Sequence, residues 1–231
     1  MRSHVTLGID LRRSALRAVY GCLLAGLWLG VGSCASGLPV EHGPPTKAIA
    51  ESEAVPIGPL PRHTRPLAYT LELTVLPRQE RFNGRVQIQV ALSEPRKLIW
   101  LHGKDLHVSS VRAVVGAQSI RGTYAQRDAT GVVALWFERP LPAGQATLEI
   151  AFDGAFDKQL KGLYRVVSGD QAYAFTQFES ISARSAFPSF DEPGFKTSFE
   201  LWLTVASSDV AASNTPVIGE EQAGALKRVH F

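Results

Sequence analysis

Cysteine is nearly absent. The 231 residues hold two, Cys22 and Cys34, both in the first third, so the remainder builds no disulfide and no cysteine-ligated metal centre. Methionine occurs once, at Met1. The six histidines are His4, His42, His63, His102, His107 and His230, and none falls in His-Glu-x-x-His, the helical spacing that sets two imidazoles on one face with a glutamate as base. His102 and His107 are the closest pair, but strand-like sequence flanks both, which points to solvated or hydrogen-bonded side chains. No Gly-x-Ser-x-Gly elbow, phosphate-cradling loop or dinucleotide fingerprint occurs. Ahead of the carboxyl end no segment keeps a 3.6-residue apolar period for three turns, which excludes a helical domain.

The basic excess is also absent once the chain is divided. Residues 1–17 carry Arg2, Arg12, Arg13 and Arg17 against Asp10, and residues 18–31 are uncharged and apolar. This is the pattern of an export signal over 1–33, with an apolar run too short for a permanent span. Removing it takes four of the 24 basic residues and one of the 21 acidic ones, which leaves 20 of each and no net charge. Nothing electrostatic then favours nucleic acid, and none is expected as a partner.

Val31-Gly32-Ser33-Cys34 resembles the lipobox of bacterial lipoproteins, in which the cysteine sulfur takes a diacylglyceryl group. The expectation is lipidation of Cys34, with Ala35 and Ser36 resembling sorting to the outer membrane. An ordinary secretory signal cut near Ala35, or an uncleaved anchor, is the alternative. Residues 34–58 are rich in Pro and Gly and read as a tether that lifts a domain clear of the headgroups.

From residue 59 apolar side chains alternate. Tyr69, Leu71, Leu73 and Val75 fall on one side of an extended run, and Val86, Ile88 and Val90 on one side of the next. Asn83-Gly84 lies inside the second run and predicts a bulge or bend. Further strands are predicted over 97–102, 107–115, 131–137, 146–152, 173–178 and 197–206, separated by turns such as Ser93-Glu94-Pro95 and Ser168-Gly169-Asp170. Trp100, Trp136 and Trp202 sit in strand patterns and are expected in the core. The fold class is therefore all-β: many short antiparallel strands in sandwich- or saddle-like sheets.

Three pieces between residues 162 and 196 carry chemistry: Gly162-Leu163-Tyr164-Arg165, then Thr176-Gln177-Phe178-Glu179, then Phe187-Pro188-Ser189-Phe190-Asp191-Glu192-Pro193. Gln177 and Glu179 are two apart in a predicted strand, so both side chains leave one face. An amide beside a carboxylate makes a receptor for an ammonium group. Asp191 and Glu192 are adjacent and point to opposite faces of an extended segment, which suits structure better than paired acid-base catalysis. Phe187, Phe190 and Phe195 are expected to pin this loop, with Asp191 accepting hydrogen bonds from backbone or from Arg184.

In order and spacing, these pieces resemble the amino-terminal β domain of the zinc aminopeptidases of the aminopeptidase N and leukotriene A4 hydrolase family. Pro66-Leu67-Ala68-Tyr69, Phe82-Asn83-Gly84, Ile99-Trp100-Leu101-His102 and Ser213-Asn214-Thr215-Pro216 strengthen the likeness, which runs from about residue 59 to 231. The resemblance implies a saddle of β-sheets in which Glu179 helps hold the α-amino group of a peptide substrate, with Gln177 beside it. It implies zinc in full-length members. The family's zinc helix and its Gly-x-Met-Glu-Asn segment have no counterpart here, and many members have Cys where Ser189 stands. Lys227-Arg228-Val229-His230-Phe231 reads as the start of a strand. The chain is therefore expected to be an incomplete β domain lacking its catalytic partner, without a metal site or catalytic residues of its own and inactive alone. The alternative is a non-catalytic lipoprotein that uses the same domain as a peptide-binding or scaffold module, as superfamily members without the zinc helix do.

Overall fold

Alternation at the sequence level becomes a ten-stranded sheet. The computed structural model describes residues 4–7 and 53–231, and among them the strands are β1 (His4–Leu7), β2 (Thr64–Thr74), β3 (Arg81–Leu92), β4 (Arg96–His102), β5 (His107–Val115), β6 (Gln118–Gln126), β7 (Val132–Leu141), β8 (Gly144–Ala155), β9 (Gly162–Ser168), β10 (Gln171–Gln177), β11 (Ser198–Ala206), β12 (Val210–Ser213), β13 (Gly219–Ala223) and β14 (Leu226–His230). The helical content described is one 3-10 turn, Ala183–Ser185. The large sheet runs β13-β14-β11-β2-β3-β8-β5-β6-β7-β4, and a small one runs β12-β1-β10-β9. Pairing is antiparallel except between β2 and β11 and on both sides of β1. Cys34 and the tether up to residue 52 lie outside the described residues.

The core follows from the period-2 pattern. Leu71, Val86, Ile88, Leu148 and Ile150 from the sheet centre are wholly buried, and they join one cluster with Ile99, Leu101 and Leu135 from its far edge. Consecutive burial through residues 98–102 means that β4 is covered on both faces, unlike the half-wet central strands. The free edge of β4 is taken at one point by the loop carrying Ser189, which forms an antiparallel bridge with His102. In β2 the buried phase shifts at a bulge between Pro66 and Ala68, which leaves Leu67 facing out. Pro66 suits that position because a bulge does not need its missing donor.

Two expectations change here. Asn83-Gly84 makes neither bulge nor bend: β3 keeps an unbroken register through both residues against β2 and β8. Glycine is required for space instead, since a Cβ at Gly84 would stand 2.6 Å from the Glu72 carbonyl oxygen and 2.7 Å from Leu73 Cδ2. Trp100 is buried as expected, but Trp202 lies on the outer face of the sheet. There its ring stacks on His230 at 3.8 Å and carries the Arg228 guanidinium at 4.0 Å, tying β14 to β11.

Ordered chain also starts ahead of residue 59. Glu53 accepts a hydrogen bond from Trp100 Nε1 at 3.2 Å and pairs with Arg96, whose other amino group meets His63 Nδ1 at 2.7 Å. The segment before β2 is thereby fastened across the sheet edge.

Gly84→Ala is expected to destabilise the domain by about 1–3 kcal/mol, the usual cost of forcing extra volume into a packed interior. Urea unfolding followed by tryptophan fluorescence reads this as a lower midpoint, and an unchanged midpoint contradicts the close-approach account.

Candidate functional site

Gln177 ends β10, level with Gly162 at the start of β9. The β9–β10 hairpin closes through Gly169-Asp170, with glycine first at φ +56°, the arrangement two-residue hairpins favour. At the other end, a Cβ on Gly162 would sit 3.1 Å from Ser185 Cβ and 3.2 Å from the Ser182 carbonyl oxygen. The strands therefore run directly into the turn over 178–182.

Glu179 lies in that turn, two residues past the end of the strand, which corrects the expectation that strand alternation puts it on the face of Gln177. What holds it is the turn itself. The Ser182 amide donates to the Phe178 carbonyl at 2.8 Å, and Phe178 packs edge-on to Phe187 with centroids 5.8 Å apart. Phe187 meets Phe199 in the same manner, and Phe199 stacks on Tyr69 at 4.4 Å. The Tyr69 hydroxyl accepts from the Phe190 amide at 2.9 Å, and its burial pushes the phenol up, so it stays protonated. A chain of rings thus fixes the backbone on either side of Glu179. Gln177 and Glu179 themselves are exposed, and among the described residues no ion pair or side-chain hydrogen bond engages the Glu179 carboxylate.

The acidic loop is structural. Asp191 Oδ2 accepts from Arg184 Nε at 2.9 Å and from the Arg184 amide at 3.2 Å. Arg184 also donates to the carbonyls of Asp191 at 2.9 Å and Thr130 at 3.0 Å, so each nitrogen of its buried guanidinium donates one hydrogen bond. Glu192 turns the other way: it accepts from the Leu60 amide at 2.5 Å and pairs with Arg62 at 3.3 Å. Arg62 in turn lies over Phe195 at 4.6 Å, and Phe195 packs edge-on to Phe190. Adjacent acids with separate partners are what the extended-segment argument predicts.

Two cavities flank Ile181. One, of about 690 Å³, is bordered by Arg62, His102, Arg184 and Glu192, and the other, of about 720 Å³, by Lys104, Lys158, Lys161 and Ser182. His102 and Ser189 exchange backbone hydrogen bonds at 2.8 Å each way, so their side chains share a face. His102 Nδ1 and Ser189 Oγ are buried without a partner among the described residues. Burial, and then Arg184, lower the His102 pKa to about 4. His107 stands apart, exposed, with Nδ1 2.6 Å from Asp153. Among the described residues no three His, Cys, Asp or Glu side chains converge to hold a metal ion. These donors do not fit a zinc centre.

The family model described as the Peptidase M1 N-terminal domain matches residues 65–231. The chain belongs to this family. Among curated relatives, the M1 domain here is 36% identical over 178 residues to aminopeptidase M1-B of Oryza sativa subsp. japonica, covering 74% of this chain and 20% of that protein. It is 32% identical over 180 residues to aminopeptidase N of Acetobacter pasteurianus, covering 75% of this chain and 50% of the relative. The chain thus spans a fifth to a half of the length of these aminopeptidases. The fold likeness extends to an M1 zinc metallopeptidase E323A mutant from Deinococcus radiodurans, with TM-score 0.59, 23% identity, and coverage of 74% of this chain and 39% of that one. The antiparallel, all-β architecture agrees with that of the M1 amino-terminal domain.

His102 makes the M1 domain acid-sensitive. The folded state holds the ring neutral down to about pH 4, whereas an unfolded chain protonates it near 6.5, so the unfolded state binds more protons between these values. Stability is expected to fall as pH drops from 6.5 to 4, by up to about 3 kcal/mol, and to lose this dependence in His102→Asn. Urea midpoints across that range check it, and equal slopes for the two proteins contradict it.

Proposed function

We propose that this chain is the substrate-anchoring amino-terminal domain of a membrane-tethered zinc aminopeptidase that removes amino-terminal residues from peptides. The observation that carries this reading is an exposed carboxylate at Glu179, without an ion pair or hydrogen bond among the described residues, on a turn pinned from both sides and two residues beyond the exposed amide of Gln177. A carboxylate holds an α-ammonium by charge-assisted hydrogen bonds, and the amide sets its direction. An acetylated or internal residue offers no such charge, so binding measures from the end of the peptide. In open water such a pair is worth only about 0–1 kcal/mol. It strengthens when a second domain covers the site and lowers the local dielectric. Hydrolysis belongs in this reading to a zinc-bearing part that the 231 residues do not supply, and the contribution of this chain is to bind and orient.

The membrane attachment proposed is the acylated Cys34, with the domain held near the bacterial outer membrane by residues 35–52. Among the described residues no helix is long and apolar enough to cross a membrane, and this lipid link does not need one.

Two experiments test the reading. When residues 53–231 replace the corresponding domain of the Acetobacter relative, Glu179→Ala is expected to lower kcat/KM on aminoacyl amides by about 10- to 100-fold. Glu221→Ala, an exposed glutamate on β13, leaves it unchanged. Equal kcat/KM with and without the Glu179 carboxylate would sink the anchoring role and favour the scaffold reading. For the tether, labelled palmitate in a diderm host is expected to appear in the wild-type chain and to vanish in Cys34→Ser; label retained in the variant contradicts it.

A further inference from the structure

The outer face of the large sheet carries a trough of about 600 Å³ across β3, β8, β5 and β6. Three guanidiniums border it, those of Arg85, Arg112 and Arg121, and among the described residues Glu149 is its one acid. Strand pairing sets their places. Arg112 on β5 is level with Arg121 on β6 on one side and with Glu149 on β8 on the other. Arg85 on β3 is level with Ala151 on β8, and Ala151 in turn with Ser110 on β5. Ala151 and Glu149 are two apart, as are Ser110 and Arg112, so all of these side chains leave the same face. The two small side chains, Ala151 and Ser110, keep open the space that the three arginines surround.

The charges here do not balance. Glu149 pairs with Arg112 through Nε, which leaves both terminal amino groups of that guanidinium without a partner among the described residues. Arg85 and Arg121 are exposed and enter no ion pair or hydrogen bond among the described residues. Glu138, on β7 just beyond the stretch paired with β6, is exposed and forms no ion pair with Arg121. Three arginines against one glutamate leave a surplus of two positive charges. Arg112 and Arg121 moreover stand directly opposite each other, a like-charge arrangement that costs a sheet stability. A bound anion relieves that cost. The anion that matches brings about two negative charges and several acceptor oxygens on one compact centre. A phosphomonoester does so, with about −1.5 to −2 charge and three acceptor oxygens at neutral pH. A single carboxylate brings half that charge and leaves donors unmet.

We propose that this trough is a binding site for a phosphomonoester. The phosphoryl group sits over Ala151 and Ser110, with Arg85 on one side and the terminal amino groups of Arg112 on the other. Arg121 adds the second uncompensated charge from β6. Planar guanidinium forks suit phosphate oxygens because they donate two parallel hydrogen bonds, and the Ser110 hydroxyl offers a further donor. Glu149 holds Arg112 toward β8, over the open space, and so acts as a positioning residue. The site uses no residue of the turn that carries Glu179, and it stands or falls separately from the anchoring of a peptide amine. The shared chemistry admits two sources of ligand, a lipid headgroup and a soluble phosphate ester.

Isothermal titration calorimetry of the full chain at pH 7.5 and low salt tests the site, with glycerol 3-phosphate as the soluble probe and phosphatidic acid in detergent micelles as the lipid probe. At least one of them is expected to bind at a single site. Arg85→Gln and Arg121→Gln each weaken that binding by at least about 5-fold, while Arg127→Gln, an exposed arginine outside the trough, leaves it unchanged. Both trough substitutions lie on an exposed face, so the urea midpoint stays where it is and weaker binding is not a loss of fold. Succinate, which carries the same charge on two separated carboxylates, binds at least about 10-fold more weakly than the phosphate ester. Binding of phosphatidic acid alone assigns the site to a lipid headgroup, and binding of glycerol 3-phosphate alone assigns it to a soluble ester. The proposal is overturned if neither probe binds, if succinate binds as well as the ester, or if both arginine variants keep the wild-type affinity.

Discussion

A buried guanidinium organises the site. Arg184 takes the Asp191 carboxylate and the carbonyls of Asp191 and Thr130, while its own carbonyl accepts from the Lys104 amide at 2.7 Å. One side chain thus fastens the acidic loop, the turn before β7 and the connection after β4. Breaking a buried pair of this kind by removing one partner costs about 3–5 kcal/mol, since the remaining charge is stranded. Arg184 belongs to the 3-10 turn that follows the Glu179 turn, so the backbone carrying the exposed carboxylate leads directly into this buried junction.

The division of labour between acids follows from their surroundings. Asp191 and Glu192 are engaged, one by a cation and the other by the Leu60 amide and Arg62, and they hold the loop. Among the described residues Glu179 has no such engagement, and it sits on a backbone fixed by Phe178, Phe187, Phe199 and Tyr69. A ligand that meets it does not have to order it, which is where a rigid receptor gains over a flexible one. In the function proposed above, this arrangement would receive an ammonium group at the start of a peptide.

Much of this was legible as pattern, and the failures have physical causes. The strand over 107–115 matches the structure at both ends, and the clean alternation of 69–75 and 86–90 marks the central ribbon. β6 escaped because its only fully buried side chain is Ile120 among polar neighbours, so periodicity had little to grip. Gly116, at φ +57° between β5 and β6, was the usable signal. Gly84 misled because sequence shows a residue's freedom and not the carbonyl and side chains pressing on it. Trp202 misled for a similar reason: its partners, His230 and Arg228, come from a strand whose pairing no local pattern reveals. The acidic loop was read correctly, because prolines, phenylalanines and an Arg-Asp pair lie within ten residues of one another. Glu179 stands in the turn closed by Ser182 and not on the strand that alternation predicts for it, because local pattern does not show where a strand gives way to a turn.

The central claim is that Glu179 and Gln177 receive the amino end of a peptide. Its most direct measurement is a crystal structure of the domain joined to its zinc-bearing part, with a non-hydrolysable peptide analogue bound. The account predicts the α-ammonium nitrogen about 3 Å from a Glu179 carboxylate oxygen, with the Gln177 amide oxygen directed at it. An amine held entirely by other groups, with Glu179 facing solvent, would contradict it.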